Sequence, residues 1–207
     1  MSLASLLGLY PEPVLTGPSV FLRPPVMDDF AQWQQLRENS RAFLVPWEPS
    51  WPEDDLTRSA FRMRIKGTDQ DRALGDAYTF FLFRTSDKAL MGGLTLGNIR
   101  RGVAQTATLG YWMGEAYAGQ GYMRQAAARA LQFAFYELRL HRVEAACLPH
   151  NARSLHVLQR LGFQKEGVAR AYLEINGRWE DHILLAILDA DHAVSYTHLT
   201  LPTILRV

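Results

Sequence analysis

The sequence predicts a mixed α/β domain with a mostly antiparallel central sheet flanked by helices. Segments typical of strands follow one another along the chain, with three in succession before the longest helical pattern. The last two strands meet at Asn176-Gly177, the dipeptide most typical of a tight β-hairpin. The resulting order is β-α-α-β-β-β-α-β-α-β-β, which is inconsistent with an alternating, doubly wound parallel sheet.

The composition is that of a globular protein without a broadly basic surface. The 207 residues carry 22 Lys and Arg against 21 Asp and Glu, a formal net charge of +1. This balance argues against direct binding of nucleic acid, or of a membrane surface, through a polybasic face. No segment approaches the ~20 apolar residues of a membrane span, and the first residues lack the basic start of a signal peptide. We therefore expect a cytoplasmic protein with no membrane partner.

The first half of the chain is predicted to contain four strands and two helices. The first helix follows Asp28-Asp29, where apolar residues begin to recur at helical spacing. A second helix, capped by Asp54-Asp55, is expected to end near Ile65, after a proline-broken loop at residues 44–55. The predicted strands are Val20–Leu22, Tyr78–Arg84, Leu90–Asn98 and Ala107–Met113.

The second half is organised around an alanine-rich helix. From Met123 to Leu138, small and apolar residues repeat at helical spacing and form a face that can pack closely against a sheet. A further helix over residues 151–161 stops at Gly162. The remaining predicted strands are His141–Leu148, Ala169–Ile175 and Arg178–Leu188.

These elements are expected to form one domain at residues 19–190. In this division residues 1–18 are an N-terminal extension. Residues 191–207 continue no pattern of the domain, and we expect an appended, non-native or disordered tail.

No metal site is expected. The six histidines show no ligand spacing, and one cysteine cannot form a thiolate cluster or an intrachain disulfide. Cys147 lies in an apolar run, which is typical of a buried structural thiol.

The turn Gly119-Gln120-Gly121 joins a strand to the alanine-rich helix and places no capping side chain at the helix start. Free backbone N–H groups and the helix dipole are what a phosphate group requires, and Arg124 adds a positive charge. The alternative is a tight turn whose donors are met by water. A Walker loop is absent, and a dinucleotide fingerprint is excluded because Arg124 stands at its third small position.

These residues carry a family resemblance. Leu109–Gly114, followed by Ala118–Met123, resembles the acyl-CoA-binding strand, turn and helix of the GNAT superfamily of N-acetyltransferases, whose pattern is Q/R-x-x-G-x-G/A. Gly121 matches the central glycine, whereas Ala118 and Met123 depart from the first and last positions. Asn151 to Ser154, with the later LGF and EG residues, resembles a second stretch of the same superfamily.

Two further segments, Arg41–Pro49 and Tyr172–His182, resemble the RimJ-type ribosomal-protein N-terminal acetyltransferases. The likeness covers about residues 19–190 and implies a splayed strand pair that holds acetyl-CoA as cosubstrate. The implied CoA-binding residues are Tyr111, Trp112, Met113, Ala118, Gly119, Gln120, Gly121, Tyr122, Met123, Arg124 and Asn151.

In this family the amine attacks the thioester directly, without an acyl-enzyme. By resemblance, Asn151 bonds pantetheine or caps the next helix, and the two roles are compatible. Ser154 is placed to protonate or orient the leaving thiolate, with a water-facing first-turn residue as the alternative. Tyr172 is the other candidate acid, unless it is only a packed strand residue.

The sequence lacks the general base that is usual in this family. Many relatives carry a glutamate just before the glycine of the fourth strand, where this chain has Thr108-Leu109-Gly110. Glu174 in the late hairpin is the candidate, with Glu115 second, although a strand-edge glutamate can simply be solvated. A peptide α-amine has a pKa of about 8, so roughly a tenth of its molecules are already neutral near pH 7. Such an amine depends less on a general base than a lysine side chain does.

The loop with Trp47, Glu48 and Trp51 is a candidate acceptor-binding surface, or else a tryptophan-anchored loop with a solvated acidic edge. The leading hypothesis is acetylation of a protein N-terminal α-amine, of the ribosomal-protein-alanine type, by a monomer or homodimer. The alternatives are acetylation of a small-molecule amine and a non-catalytic acyl-CoA-binding module.

Overall fold

The computed structural model describes residues 13–192, and the strands in this range join one sheet. They are β1 (Leu15–Thr16), β2 (Val20–Arg23), β3 (Tyr78–Arg84), β4 (Leu90–Arg100), β5 (Thr106–Met113), β6 (Arg142–Cys147), β7 (Gln164–Ile175) and β8 (Arg178–Leu188). Their order is β1-β2-β3-β4-β5-β6-β8-β7. Within the described range, β5 and β6 are the one parallel pair. The predicted mixed, mostly antiparallel sheet is confirmed.

Helices cover both faces of this sheet. They are α1 (Phe30–Asn39), α2 (Arg41–Leu44), α3 (Arg58–Leu74), α4 (Tyr122–Gln132) and α5 (Ala152–Arg160). The end of α4 continues as a π-helical turn at Phe133–Glu137. Short 3₁₀ turns at Met27–Asp29, Val45–Trp47 and Glu115–Tyr117 connect the other elements.

Strand β3 shows how the two faces are filled. Successive residues of a strand point to opposite faces. Phe80 and Leu82 therefore lie in the core beneath α4, whereas Phe81 and Phe83 pack with Trp33 and Phe61 of α1 and α3. On α4 the inward residues Ala126, Ala127 and Ala130 are fully buried, as the alanine-rich pattern predicts.

The bounds predicted for the second helix were wrong at both ends. Thr57 caps α3 by accepting a hydrogen bond from the Ala60 N–H at 3.2 Å, and the helix runs on to Leu74. Asp55 is instead buried and forms an ion pair with Arg64. The preceding loop is also more ordered than predicted, because Val45–Trp47 forms a 3₁₀ turn.

The sheet begins earlier than residue 19, since Leu15–Thr16 pairs with Phe21–Leu22. At the other end His192 is buried, with its ring 5.3 Å from that of Phe135. The rest of the predicted extension and tail, residues 1–12 and 193–207, lies outside the described residues. No helix within residues 13–192 is long and apolar enough to cross a membrane.

Strands β4 and β5 approach closely at Gly92. A Cβ on Gly92 would collide with the Trp112 carbonyl oxygen and lie 3.1 Å from the Met113 Cα. Both neighbours are backbone atoms, which cannot turn away as a side chain can. Glycine is therefore required here for β5 to keep its place beside β4.

We expect Gly92→Ala to lower the free energy of unfolding by about 1–3 kcal/mol, the usual cost of overpacking. The control is Gly67→Ala in α3, where a new Cβ would have no neighbour within 4 Å. That change should raise stability by roughly 0.5–1 kcal/mol through the better helix propensity of alanine. Urea unfolding of both variants checks the difference, and equal midpoints would contradict it.

Candidate active site

The main cavity lies where β5 and β6 separate. Their parallel pairing joins Thr106–Thr108 to Arg142–Glu144 and then stops. Beyond this point β5 stays with β4, and β6 stays with β8. The gap between residues 109–113 and 145–148 forms a cavity of about 780 Å³. The predicted splayed strand pair is therefore present, and the facing strand edges keep backbone groups that no neighbouring strand uses.

The glycine turn closes one end of this cavity. Gly119 and Gly121 have φ of +76° and +81°, a left-handed conformation that favours glycine. Gly121 is the N-cap of α4, and no side chain caps the helix, so the first-turn amides keep free hydrogens. Gly119, Gly121 and Arg124 all line the cavity. Amides, helix dipole and guanidinium together form an arrangement suited to a phosphate group.

Most of the predicted CoA-binding residues are brought together at this cavity. Those that line it are Tyr111, Trp112, Met113, Ala118, Gly119, Gly121, Tyr122, Met123, Arg124 and Asn151. Gln120 is not among the lining residues, and its side chain donates to the Ala116 carbonyl at 2.9 Å.

Tyr111 and Ser154 are coupled across the cavity, with their hydroxyl oxygens 2.7 Å apart. Ser154 lies in the first turn of α5, where its N–H donates to the Asn151 side chain at 3.1 Å. The predicted capping role of Asn151 is thus confirmed. Burial raises the pKa of the Tyr111 phenol well above its usual value, although the Ser154 hydrogen bond acts in the opposite direction. The phenol therefore keeps its proton at neutral pH.

Cys147 is a buried thiol in the cavity wall. Its sulfur lies 3.5 Å from the Leu148 carbonyl oxygen and 3.7 Å from that of Asn151. Burial raises the pKa of this thiol. The reactive thiolate is therefore disfavoured at neutral pH, which suits a reaction without an acyl-enzyme.

In the loop that contains Trp47, Glu48 and Trp51, some residues line the main cavity and others hold the loop in place. Trp47 lines the cavity, with its ring 5.4 Å from that of His150. Glu48 also borders the cavity, but its carboxylate accepts two hydrogen bonds of 2.8 Å from Arg37 and one of 2.8 Å from the Trp51 indole. The Arg37 guanidinium lies 4.0 Å from the Trp51 ring centroid. Trp51 is not a lining residue and serves to hold the loop.

The predicted acid and base on the hairpin are not brought to the main cavity. Tyr172 is 46% exposed and lies in a register shift of β7, and Glu174 is exposed opposite Trp179. Glu115 is exposed on a 3₁₀ turn. None of the three lines the cavity.

A second, smaller cavity of about 300 Å³ lies beside the first. Its lining includes Leu148, which also lines the main cavity, together with His150, Arg178 and Glu180. His182, two residues beyond Glu180, is 3% exposed and lines the main cavity. Sequence reasoning did not single out His182 or Glu180. The available signal was their alternate spacing on β8, which places both on one face.

Within residues 13–192, no three His, Cys, Asp or Glu side chains are grouped in a way that could hold a metal ion.

A family model described as an acetyltransferase (GNAT) domain matches residues 19–164. The chain belongs to the GNAT acetyltransferase family. It is an acetyl-CoA-dependent N-acetyltransferase, as the two superfamily motifs predicted.

Individual relatives refine this assignment. The chain is 38% identical over 178 residues to "Probable N-acetyltransferase YjcK" of Bacillus subtilis, covering 86% of this chain and 98% of that protein. It is 37% identical over 152 residues to the ribosomal protein uS5-alanine N-acetyltransferase of Escherichia coli, covering 73% and 78% of the two chains. The structure of Mycobacterium smegmatis RimJ in complex with CoA-disulfide superposes with a TM-score of 0.79 at 32% identity, covering 90% of this chain and 94% of that one. The predicted likeness to the RimJ type is confirmed.

The described residues fit the cosubstrate of this family. Uncapped amides at α4 suit the pyrophosphate, and the free edge of β5 suits the amide groups of pantetheine. A cavity of about 780 Å³ between the strands leaves room for that arm.

Gly121→Glu should weaken CoA binding by at least about tenfold, because it places a negative charge beside the phosphates. Gly75→Glu is the matched control, since Gly75 has a similar φ of +77° with open space around it and does not line the cavity. Isothermal titration with CoA measures both affinities. Equal affinity of the two variants would contradict the phosphate site.

Proposed function

We propose that this N-acetyltransferase acetylates the N-terminal α-amine of a protein, with an alanine-started ribosomal protein as the natural acceptor. The observation that carries the proposal is the 37% identity to an enzyme named for alanine of ribosomal protein uS5. The likeness to Mycobacterium smegmatis RimJ over 90% of the chain supports it.

The acceptor side of the site also favours a peptide. The small cavity is bordered by the exposed residues His150, Asn176 and Arg178, so it opens to solvent. A peptide needs such an opening, because its later residues must leave the site while its first residue reacts. A pocket for a small polyamine would bind it more tightly if the pocket were enclosed and lined by several acidic groups. Here one carboxylate, that of Glu180, is accompanied by the Arg178 cation.

Acetyl-CoA supplies an acetyl thioester, and the protein positions it and handles protons. In the proposal the amides at residues 119–124 hold the pyrophosphate, while residues 111–113 pair with pantetheine. Asn151, whose side-chain oxygen caps α5, remains a candidate contact to pantetheine through its amide nitrogen.

Ser154 is the proposed acid for the leaving thiolate. When the Tyr111 phenol donates to Ser154 Oγ, the serine keeps its own hydroxyl hydrogen, which it can donate to the sulfur of CoA. The raised pKa of Tyr111 keeps the phenol protonated and able to donate. Tyr172 lies outside the main cavity and is the less suitable acid.

Of the predicted acceptor-binding residues, Trp47 is best placed to contact the peptide, because it borders the main cavity and lies against His150. Glu48 and Trp51 contribute by fixing the loop. The Asn176 N–H donates to the Glu48 carbonyl at 3.0 Å, which ties this loop to the β7–β8 hairpin.

The test compares CoA release with three acceptors. The first is a lysine-free peptide that starts with alanine, the second is a blocked peptide with one internal lysine, and the third is a pool of small amines. We expect turnover with the first only, with mass spectrometry placing the acetyl group on the N-terminal nitrogen. Turnover only with the small amines would overturn the proposal in favour of the small-molecule alternative.

A further inference from the structure

A row of three polar side chains on β8 connects the two cavities. Arg178 and Glu180 line the small cavity, and His182 lines the main one. Alternate residues of a strand share a face, and residues two apart are separated by about 7 Å. The intervening Trp179 lies on the other face and is 66% exposed. The row therefore leads from the small cavity to the main one.

His182 is held in a defined tautomer. Its Nδ1 lies 3.0 Å from the Glu180 backbone carbonyl oxygen. A carbonyl oxygen can only accept, so Nδ1 carries the hydrogen and Nε2 of the neutral ring has a free lone pair. Among the described residues, none forms a hydrogen bond with this Nε2. The Tyr172 ring packs edge-on at 5.8 Å and helps to fix the imidazole.

The Glu180 carboxylate, like His182 Nε2, has no hydrogen-bond partner among the described residues. Within residues 13–192 it takes part in no side-chain hydrogen bond or ion pair, although it is only partly exposed in the small cavity. Arg178 lines the same cavity but forms no ion pair with Glu180 within the described residues. A partly exposed carboxylate that no side chain engages is a suitable site for an ammonium group.

Other titratable groups at the main cavity are less suited to accept a proton. Burial raises the pKa values of Tyr111 and Cys147, so both already hold their protons at neutral pH. The Glu48 carboxylate already accepts three hydrogen bonds, and His156 is exposed on the rim, whereas His182 is buried in the wall.

We propose that Glu180 binds the acceptor ammonium in the small cavity and that His182 is the base that deprotonates it. This assignment deepens the proposed function and rests on it for the nature of the acceptor. An N–H bond of the ammonium breaks, its electron pair stays on nitrogen, and the proton goes to His182 Nε2. The neutral amine then forms the C–N bond to the acetyl carbon, and the C–S bond breaks with its electron pair on sulfur. The sulfur takes a proton through Ser154, and the new amide nitrogen loses its second proton to water, which restores the serine hydroxyl, so that the products are a neutral amide and the CoA thiol. The imidazolium afterwards returns its proton to water.

The test uses His182→Ala and His182→Gln in the full chain, assayed with whichever acceptor the wild-type enzyme acetylates. We expect kcat to fall by about 10²- to 10⁴-fold in both variants, the usual contribution of a general base. Binding of acetyl-CoA should stay within about twofold of wild type, because the residues proposed to hold the phosphates and pantetheine, 119–124 and 111–113, lie on other elements around the cavity. Added imidazole should restore part of the activity of His182→Ala, which a purely structural role would not allow.

His141→Ala is the matched control. Its side chain is 62% exposed and lies 3.2 Å from Asp189, and the residue lines neither cavity. We expect kcat of this variant to stay within about twofold of wild type and to be insensitive to imidazole.

Glu180→Gln tests the binding half of the proposal. It should raise KM for the acceptor by about tenfold and change kcat much less, because it removes a charge that binds substrate before reaction. A wild-type kcat in His182→Gln, or a loss in His182→Ala without imidazole rescue, would overturn the proposed base. If the wild-type enzyme acetylates small amines alone, the peptide acceptor is excluded, while the same variants still decide the role of His182.

Discussion

The separation of β5 from β6 is the constraint on which the site depends. Three residue pairs hold the strands together, and each strand then follows its antiparallel partner. Backbone groups left without a strand partner need another polar partner or water, so the cleft is ready to bind an amide-containing chain. The close approach of β4 at Gly92 keeps β5 in place on one side of the cleft, and pairing of β6 with β8 fixes the other side.

The two ends of this cleft carry different kinds of charged or polar group. At the α4 end, left-handed glycines leave backbone amides free, which suits a polyanion without requiring many basic side chains. At the hairpin end, Glu180 and Arg178 place both signs of charge in the small cavity, where we propose that the acceptor binds. Between them, paired Tyr111 and Ser154 and the buried Cys147 are protonated groups in a shielded wall. The Arg37–Glu48–Trp51 cluster keeps the adjoining loop in place.

Local sequence patterns predicted the parts of the structure that local forces determine. The alanine-rich face of α4, the uncapped glycine turn, the Asn151 cap and the Asn176-Gly177 hairpin follow from spacing and turn chemistry. The bounds of α3 could not be predicted in this way. The helix continues past Ile65 through mostly polar residues, and its N-cap is Thr57 rather than Asp54-Asp55. The engagement of Glu48 by Arg37 and the position of His182 in the cavity wall depend on contacts between distant segments. A sequence pattern alone cannot reveal such contacts. For this reason the base that the sequence favours, Glu174, is a residue that does not line the cavity.

The most direct test is a crystal structure of the enzyme with a covalent conjugate of CoA and an alanine-started peptide, joined through an acetyl bridge. The structure described above predicts pyrophosphate oxygens against the amides of residues 119–124 and pantetheine along β5 in the cleft. The peptide nitrogen should lie beside His182, and the peptide should leave past Glu180 and Arg178. A conjugate seated outside the β5–β6 cleft, or a peptide that leaves away from β8, would contradict this assignment of the site.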